Sequence, residues 1–336
     1  MIKTAVIGVG SMGMNHARIY ADLDESHLVA VCDSNPALVA RAAERFNIEA
    51  FNDYRQMLSV ARPEVVSIVV PTALHGVVAQ DCLNAGAHIL VEKPLAATLE
   101  VGQHMIELAM RCQRKLMVGH VVRFNPAIQQ LKQRLQNGDL GRIYQIICRR
   151  VGPFPDRIRD VGVVIDLASH DLDLMRYLTE MDPLRVYAET EQRIHTEHED
   201  LLLALLRFPD GISGSLEINW LTPTKVREVI VLGERGMFKV DDLTQDIYFY
   251  ENAFAGESFW PALQTLRGVS EGRMTRFPVQ RYEPLKAELK AFLHSVEHDE
   301  PVPVSGGDGL EALRLALALV ESGRSNQVIQ VVKHVI

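Results

Sequence analysis

The start of the chain places a glycine-rich turn between a predicted strand and a predicted helix. Apolar residues over Ile2–Ile7 predict a buried strand, and the sequence GVGSMG over residues 8–13 follows it and opens a helix. Glycines at this GxGxxG spacing permit a tight turn and let the backbone at the helix N-terminus approach a pyrophosphate. We therefore predict a dinucleotide site at the turn residues Gly8, Gly10, Ser11, Met12 and Gly13.

The rest of the first 120 residues continues this alternation of strand and helix. Further strands are predicted over His27–Cys32, Val65–Val70, His88–Val91 and Leu116–Val118, and helices over Met12–Leu23, Pro36–Phe46, Val77–Ala85 and Leu99–Gln113. Short apolar strands that alternate with helices are typical of a parallel, doubly wound α/β sheet with both faces covered. Residues 1–122 are therefore predicted to form a Rossmann domain.

The pattern changes after residue 123. Helices are predicted over Asn125–Asn137, Pro284–His294 and Gly309–Gly323, and strands over Arg142–Arg150, Arg185–Glu191, Leu201–Phe208, Ile212–Trp220, Val226–Leu232 and Met237–Asp241. Turns such as Pro209–Gly211 join neighbouring strands, which indicates antiparallel hairpins. Residues 123–336 are therefore predicted to form an α+β domain with a large, mostly antiparallel sheet, although Phe254–Arg281 shows no clear periodicity.

Length and composition limit the possible partners. A chain of 336 residues suggests two domains, and its formal net charge of −8 argues against a nucleic-acid partner. The four cysteines form no CxxC pair, and no apolar run is long enough to span a membrane. The first apolar run is strand-length and ends in glycine, so no signal peptide is expected. We therefore expect a soluble, cytoplasmic protein with neither a nucleic-acid nor a membrane partner.

An acidic residue at the end of the second predicted strand supports the dinucleotide site. Asp33 lies 20 residues after Gly13, where a carboxylate can hydrogen-bond a ribose diol. Its charge would repel the 2′-phosphate of NADP, and no arginine follows it directly, so NAD is the predicted cofactor. Ser34, which we also expect to contact the cofactor, and Asn35 could weaken that preference.

Two polar residues follow the third long strand of the predicted parallel sheet. Thr72 and His75 come after Val65–Val70, at the carboxyl edge where such sheets bind ligands. One interpretation is contact with the cofactor. The other is that they cap the next helix, since threonine is a good N-cap residue.

The sequence Glu92-Lys93-Pro94 ends the next strand of the same sheet. A lysine at the carboxyl edge can reach both a nicotinamide ring and a substrate hydroxyl, and Glu92 would lie beside the cofactor. Pro94 restricts Lys93 to an extended backbone and permits a cis peptide bond. The alternative is an ordinary surface lysine exposed to solvent.

A polar stripe interrupts an otherwise apolar segment over residues 163–178. On a helix with 100° per residue, Asp166, His170, Asp173 and Tyr177 fall on one narrow face. A helix that is apolar almost all round is buried, so this stripe must face partners or a cavity. An internal hydrogen-bond network is one alternative. A mononuclear metal is another, but no further His/Cys cluster accompanies the stripe, and we predict none.

Together these motifs resemble the glucose-fructose oxidoreductase / inositol dehydrogenase / rhizopine catabolism family over nearly the whole chain. The resemblance implies that the lysine of the EKP motif and the aspartate and histidine of the second motif line the active site. In this sequence they are Lys93, Asp166 and His170. One departure is Val163, where many members of the family carry a glycine.

Shorter segments over residues 119–126, 149–153 and 160–166 resemble a branch of the family that acts on nucleotide sugars. This resemblance implies a UDP-sugar substrate, UDP-N-acetylglucosamine oxidised at C3. A local basic cluster also suits a diphosphate, with solvated arginines as the alternative: Arg149, Arg150, Arg157 and Arg159. The predicted substrate contacts are Lys93, Arg123, Asn125, Arg149, Arg157, Asp166 and His170.

The predicted mechanism assigns one role to each of three side chains. His170 is the candidate general base, Lys93 stabilises the developing alkoxide or is itself the base, and Asp166 holds a neighbouring hydroxyl or orients the lysine. Alternatives are a dehydrogenase of inositol, a free sugar or a UDP-sugar uronate, and a non-catalytic NAD-binding regulator. An antiparallel sheet covered by helices on one side predicts a homodimer or homotetramer through its open face.

Overall fold

The computed structural model describes residues 1–155, 161–194, 197–253 and 272–331. The chain divides into two compact units. Unit 1 consists of residues 1–124 and 283–314, and unit 2 of residues 125–282 and 315–336.

Unit 1 contains a six-stranded sheet, and every strand pair in it is parallel. Its strands are β1 (Ile2–Ile7), β2 (Ser26–Cys32), β3 (Glu49–Phe51), β4 (Val65–Ile68), β5 (His88–Glu92) and β6 (Leu116–Gly119), and its first helices are α1 (Ser11–Asp22), α2 (Pro36–Phe46), α3 (Tyr54–Ala61), α4 (His75–Asn84) and α5 (Leu99–Arg111). The strand order β3-β2-β1-β4-β5-β6 confirms the predicted doubly wound sheet. All four residues of β4 are buried, as a strand covered on both faces requires.

Unit 2 contains a nine-stranded sheet that confirms the predicted mostly antiparallel architecture. Its elements are α6 (Pro126–Gln136), β7 (Ile143–Pro153), α7 (Ser169–Thr179), β8 (Arg185–Glu191), β9 (Leu201–Arg207), β10 (Ser213–Asn219), β11 (Leu221–Gly233), β12 (Gly236–Asp241), β13 (Asp246–Glu251), β14 (Met274–Phe277) and β15 (Ile329–Gln330). The strand order is β14-β13-β12-β11-β7-β10-β9-β8-β15, and among these described strands only β10 and β7 pair in parallel.

The nine-stranded sheet is covered on one face. Along β9, Leu202, Ala204 and Leu206 are buried, whereas Leu203 and Leu205 are exposed. On the buried face α7 packs against β10, because a Cβ built at Gly214 would lie 3.0 Å from the Met175 sulfur. The exposed side chains of β9 belong to the opposite, open face.

The closing helices correct the predicted domain boundary. Helix α8 (Pro284–Glu297) lies in unit 1, and the boundary between the units falls within α9 (Gly306–Ser325). The prediction that all of residues 123–336 form the second domain is therefore wrong for residues 283–314. These residues return to unit 1 because apolar side chains complete its core: Leu285, Leu289, Phe292, Leu293, Val304 and Leu310.

Four strands and one helix were not expected from the sequence, namely the six-residue strand β13, three shorter strands and α3. Strands β3, β14 and β15 have two to four residues, too few for an alternating pattern to emerge. Helix α3 has only eight residues. None of the helices in the part of the chain that the structure describes combines the length and apolarity needed to cross a bilayer.

Candidate active site

The glycine turn after β1 is shaped by its own close packing. At Gly8, where φ is +89°, a Cβ would lie 2.3 Å from the Val69 carbonyl oxygen, and at Gly13 it would lie 1.7 Å from the Gly8 carbonyl oxygen. A side chain at Gly10 would meet nothing within 4 Å, and Gly10 caps α1 with no side-chain hydrogen bond. Space is therefore left above the helix N-terminus, where an anion binds to backbone N–H groups and the positive end of the helix dipole.

Asp33 is fixed beside this turn by two backbone N–H groups. The Val9 N–H donates to its Oδ2 at 2.8 Å, and the Asn35 N–H donates to its Oδ1 at 2.9 Å. The carboxylate therefore lies at the carboxyl end of β2, next to the glycine turn, in the position expected for binding a ribose diol. Ser34 is exposed there, and the Asn35 side chain caps α2 by accepting from the Ala37 N–H.

The His75 ring contacts backbone carbonyl groups. Its side chain is buried, with Nδ1 3.0 Å from the Pro94 carbonyl oxygen and Nε2 3.0 Å from the Val70 carbonyl oxygen. The ring contacts the segments that follow β4 and β5, and the contact of His75 with the cofactor stays a prediction. Burial lowers the pKa of His75 below its ordinary value, although hydrogen bonds to these carbonyl groups oppose the shift.

Thr72 begins a single 3₁₀ turn at the carboxyl end of β4 and is half-buried. Its predicted role as a helix N-cap is wrong, because Pro71 and Leu74 occupy the N-cap positions of the 3₁₀ turn and of α4. Its predicted contact with the cofactor stays a prediction.

Glu92 and Lys93 stand at the carboxyl end of β5 with contrasting exposure. Glu92 is buried, whereas Lys93 is half-buried and is followed by a cis peptide bond to the buried Pro94. The Glu92 Oε1 lies 3.1 Å from His16 Nε2, and its Oε2 accepts from the Lys93 N–H at 3.2 Å. Burial raises the pKa of Glu92, but the hydrogen bond and charge of His16, together with Lys93, lower it overall.

These contacts make Glu92 an internal partner of His16 and of the Lys93 backbone, and direct contact with the cofactor stays a prediction. His16 itself was missed from the sequence, because it lies 76 residues from Glu92. Its place on α1, one helical turn after Gly13, was the only available signal.

The polar segment of unit 2 does not lie on one regular helix. Residues Val164–Ala168 form a π-helical turn, in which the Ser169 N–H donates to the Val164 carbonyl oxygen, and α7 begins at Ser169. The prediction of a single stripe at 100° per residue is therefore wrong for Asp166, since a π turn contains more residues than an α turn. Single π turns inside α-helices often occur at functional sites.

Burial also differs along the predicted stripe. Asp166, His170 and Tyr177 are half-buried, whereas Asp173 is buried. Tyr177 lies beneath the ammonium group of Lys132, which is 5.3 Å from the ring centroid. Asp166 and His170 therefore retain partial access to solvent at the N-terminal end of this segment, which is consistent with substrate contact.

A buried ion pair fixes α7 to the sheet of unit 2. Arg150 on β7 donates from Nε and Nη2 to the two carboxylate oxygens of Asp171, at 2.7 and 2.9 Å. Although burial opposes it, the charge and hydrogen bonds of Asp171 raise the pKa of Arg150. Asp171 adjoins His170, so this pair sets the position of the predicted base. The role of Asp171 was not predicted, because its partner Arg150 lies 21 residues away in the chain.

Two further charged groups lie beside this pair. Asp242 Oδ2 is 3.8 Å from Arg150 Nη1, and burial raises the pKa of this carboxyl. Burial and the charge of Arg150 lower the pKa of Arg227 to about 10. Two arginines and two aspartates thus balance in charge, which offsets part of the cost of burying each one.

The remaining predicted substrate residues have structural partners or lie elsewhere. Arg149 points to the open face of the sheet and pairs with Glu217 at 3.0 Å, as the alternative of a solvated arginine requires, and its contact with a diphosphate stays a prediction. Alternation along β7 explains this orientation, since neighbouring side chains of a strand point to opposite faces. Arg157 and Arg159 lie outside the described residues.

Arg123 and Asn125 are both buried. Arg123 pairs with Asp308 at 3.2 Å within unit 1, and Asn125 caps α6 and donates to Asp242 within unit 2. These contacts explain both residues structurally, and their contact with a substrate stays a prediction. Among the described residues, no three metal-ligating side chains converge.

Two family models match the chain. Residues 2–120 match the model described as oxidoreductase family, NAD-binding Rossmann fold, and residues 128–239 match the GFO/IDH/MocA C-terminal domain. These matches confirm the resemblance inferred from the motifs.

Individual relatives are similar over nearly their whole length. UDP-N-acetylglucosamine 3-dehydrogenase of Acidithiobacillus ferrooxidans is 31% identical over 94% of this chain and 95% of that protein. Myo-inositol 2-dehydrogenase of Thermotoga maritima is 27% identical over 96% of each. A solved structure of the Acidithiobacillus ferrooxidans protein matches with a TM-score of 0.84 at 29% identity, over 96% of this chain and 98% of that one.

Proposed function

Because the chain belongs to the GFO/IDH/MocA family of oxidoreductases, with NAD as its cofactor, we propose that it oxidises the C3 hydroxyl of UDP-N-acetylglucosamine to a ketone. The observation that carries the proposal is Lys93, which is half-buried between buried neighbours at the carboxyl edge of a dinucleotide-binding sheet. The 31% identity with a UDP-N-acetylglucosamine 3-dehydrogenase supports the choice of substrate.

The residues of unit 1 fit the cofactor. The open space at Gly10 leaves the N-terminus of α1 to hold the pyrophosphate, with the backbone of Ser11, Met12 and Gly13 around it. Asp33 would hold the adenosine ribose, and its charge would exclude the phosphate of NADP. When bound, NAD supplies the acceptor for the hydride that leaves the sugar carbon.

Three side chains would carry the proton chemistry. His170 takes the proton of the C3 hydroxyl, because an imidazole titrates near neutral pH. Lys93 donates a hydrogen bond to the same oxygen and stabilises the negative charge that develops on it. Asp166 holds a neighbouring hydroxyl of the sugar. Lys93 belongs to unit 1 and the other two residues to unit 2, and the meeting of these groups at one substrate stays part of the proposal.

A panel of substrates tests the proposal. The purified protein is incubated with NAD and equal concentrations of UDP-N-acetylglucosamine, its uronate, myo-inositol and free N-acetylglucosamine, and NADH is followed by absorbance. We expect the highest kcat/KM with UDP-N-acetylglucosamine, and mass spectrometry should show a product two mass units lighter. Equal or higher kcat/KM with a sugar that lacks UDP would contradict the proposed substrate.

Myo-inositol oxidation is the second candidate function. The 27% identity with myo-inositol 2-dehydrogenase over 96% of the chain favours it, and the same lysine, histidine and aspartate would act on a ring hydroxyl. In the panel, turnover of myo-inositol together with none of the UDP-sugars would establish this alternative.

We also propose that the open face of the nine-stranded sheet binds a second copy of the chain. Leu203 and Leu205 on β9 are 50% and 60% exposed, and Leu205 lies opposite Tyr187 in the neighbouring strand. Burying this apolar surface would stabilise a symmetric dimer. Light scattering after gel filtration should give at least twice the chain mass, and Leu205→Glu should reduce it. The cytoplasmic location stays a prediction.

A further inference from the structure

The residues on the two sides of Lys93 each contact a different buried histidine. His16 contacts the side chain of Glu92, which precedes the lysine, and His75 contacts the carbonyl groups of Pro94 and Leu95, which follow it. Both histidines are almost completely buried, with 0% and 1% exposure. All of these residues belong to unit 1. We call residues 92–95 the lysine loop.

The first histidine ends a chain of hydrogen bonds that runs through the core. Tyr20 Oη lies 2.9 Å from Ser67 Oγ, which lies 3.1 Å from His16 Nδ1, and His16 Nε2 lies 3.1 Å from Glu92 Oε1. A carboxylate only accepts, so Nε2 must donate to it. Ser67 Oγ links Nδ1 to Tyr20, and because a hydroxyl both donates and accepts, it completes the chain whichever of its two neighbours donates to it. Every link of the chain has one donor and one acceptor.

The end of this chain determines the position of Glu92. Tyr20, Ser67 and His16 are fully buried, so the His16 N–H group that donates to Glu92 is itself fixed in the packed core. The other carboxylate oxygen accepts the backbone N–H of Lys93. A Cβ at Gly119 on the neighbouring strand would lie 3.0 Å from the Glu92 carboxyl carbon, so the space around this side chain is also fully used.

The second histidine holds the other side of the lysine loop. His75 Nδ1 lies 3.0 Å from the Pro94 oxygen and 3.3 Å from the Leu95 oxygen, while Nε2 lies 3.0 Å from the Val70 oxygen. Carbonyl oxygens only accept and a neutral imidazole carries one N–H, so the ring donates a hydrogen bond on one side and packs against a carbonyl oxygen on the other. The ring therefore ties the lysine loop to the segment after β4, which runs beside it in the sheet.

From this geometry we infer that His16 and His75 are positioning residues that hold Lys93 in its productive place. The inference rests on the proposed function, in which Lys93 contacts the substrate oxygen. Placement of a reacting group to within about 1 Å decides roughly 100-fold in rate, which is the effect expected from loosening the loop. His16 also lies on α1, so the helix that would hold the pyrophosphate and the strand end that carries Lys93 share one buried contact.

The experiment compares leucine variants of three histidines in unit 1. His16→Leu and His75→Leu remove the two contacts with the lysine loop at similar side-chain volume. His88→Leu is the matched control, because His88 lies at the opposite end of the same strand β5 and accepts from the Lys115 N–H at 2.9 Å. It therefore loses a hydrogen bond on β5 without touching residues 92–95.

The first measurement is independent of activity. Hydrogen–deuterium exchange is followed in a peptide that spans residues 92–97, in the absence of cofactor. We expect exchange about ten-fold faster in His16→Leu and His75→Leu than in wild type, and no change in His88→Leu, because only the first two release the loop. Unchanged exchange in both loop variants would overturn the inference, even if the wild-type protein oxidised no sugar at all.

The second measurement separates positioning from general loss of stability. We expect kcat to fall about 10- to 100-fold in the two loop variants, with KM and the dissociation constant of NAD changed less than about two-fold. His16→Gln should recover part of kcat, because its amide nitrogen can donate to Glu92 near the position of Nε2. If His16→Leu does not fold, His75→Leu alone is compared with His88→Leu, and equal kcat in these two variants would refute the positioning role.

Wild-type inactivity toward every sugar of the panel would refute the proposed function alone. A fall in kcat equal to that of His88→Leu would refute the positioning role alone. The two failures are therefore distinguishable.

Discussion

The lysine loop of unit 1 and helix α7 of unit 2 each carry a predicted catalytic residue, but they are held by different interactions. The lysine loop is held by two buried histidines through a carboxylate and carbonyl groups. Helix α7 is held by a buried bidentate ion pair between Asp171 and Arg150. Hydrogen bonds of the first kind contribute about 1–3 kcal/mol each, whereas breaking a buried ion pair costs about 3–5 kcal/mol. The same task, placing one side chain, therefore depends on interactions of different strength.

The largest effect is expected at the lysine itself. Lys93→Ala should reduce kcat by about 10³-fold or more, because it removes the group that stabilises the alkoxide. The dissociation constant of NAD should change little, since the glycine turn and Asp33 hold the cofactor. Steady-state kinetics and NADH fluorescence titration measure the two quantities. Near-normal turnover in this variant would remove the lysine loop from the mechanism.

The ion pair under α7 should give the largest loss of stability. Asp171→Ala leaves the Arg150 guanidinium buried without its partner, and the free energy of unfolding should fall by about 3–5 kcal/mol. Arg149→Met is the matched control on the next residue of β7, because Arg149 and Glu217 form a pair that is 44% and 43% exposed. Such an exposed pair contributes at most about 1 kcal/mol.

Urea unfolding measures both variants. A double variant, Arg150→Met with Asp171→Leu, should recover much of the loss, because the two charges that remain there, Arg227 and Asp242, balance each other. Equal destabilisation by Asp171→Ala and Arg149→Met would mean that the pair does not hold α7, and the contrast between the two regions would disappear.

Substitutions at two positions of the glycine turn should affect NAD binding and the stability of the fold separately. Gly10→Ala places a methyl group in open space above the helix N-terminus, so the affinity for NAD should fall about ten-fold while the free energy of unfolding changes by less than about 0.5 kcal/mol. Gly13→Ala places a Cβ against the Gly8 carbonyl and should destabilise the fold by about 1–3 kcal/mol. Isothermal titration and urea unfolding distinguish the outcomes. A stability loss at Gly10→Ala would contradict the open space there.

The smallest effect is a pH dependence that comes from His75, whose ring contacts the lysine loop. Burial lowers the pKa of His75 in the folded chain, whereas in the unfolded chain the ring titrates near its ordinary value of about 6.5. As the pH falls through that value, only the unfolded chain takes up the proton. The free energy of unfolding should therefore decrease with falling pH, by up to about 1.4 kcal/mol per pH unit from this residue.

The comparison of urea unfolding at pH 7.5 and pH 5.0 tests this effect. The difference should be smaller in His75→Leu than in wild type. His88, whose pKa burial also lowers, should contribute in the same direction, so the double variant should be flatter still. An unchanged difference in His75→Leu would show that its ring is protonated equally in both states.

Patterns of neighbouring residues in the sequence predicted the first strand, the glycine turn and the polar residues at the strand ends of unit 1. The glycine turn, Asp33 and Lys93 were found because strand ends of a parallel sheet share one edge, and the strand over Ile2–Ile7 was predicted with its exact bounds. The contact between His16 and Glu92 was not predicted, because it joins residues of α1 and β5 that are far apart in the sequence.

In the second half of the chain the pattern predicted a helix or strand correctly, but not its exact geometry or the residues it packs against. The segment after residue 163 was predicted as a regular α-helix with 100° per residue. Its first turn is a π turn, so Asp166 does not lie on the predicted polar face. The side of the sheet to which Arg149 points depends on the strand register, which the arginine cluster alone does not specify. Helix α8 was predicted correctly as a helix, but its periodicity does not say which core it joins.

The return of residues 283–314 to unit 1 has a consequence for how the protein is made. During synthesis the ribosome completes the six parallel strands well before Leu289, Phe292 and Leu310 have emerged, so apolar surface that these residues later cover stays open while unit 2 is still being translated. A gene fragment that stops after residue 122 would produce a chain in which the same apolar surface stays exposed to solvent. A transplantable cofactor module must therefore be assembled from two separated stretches of coding sequence.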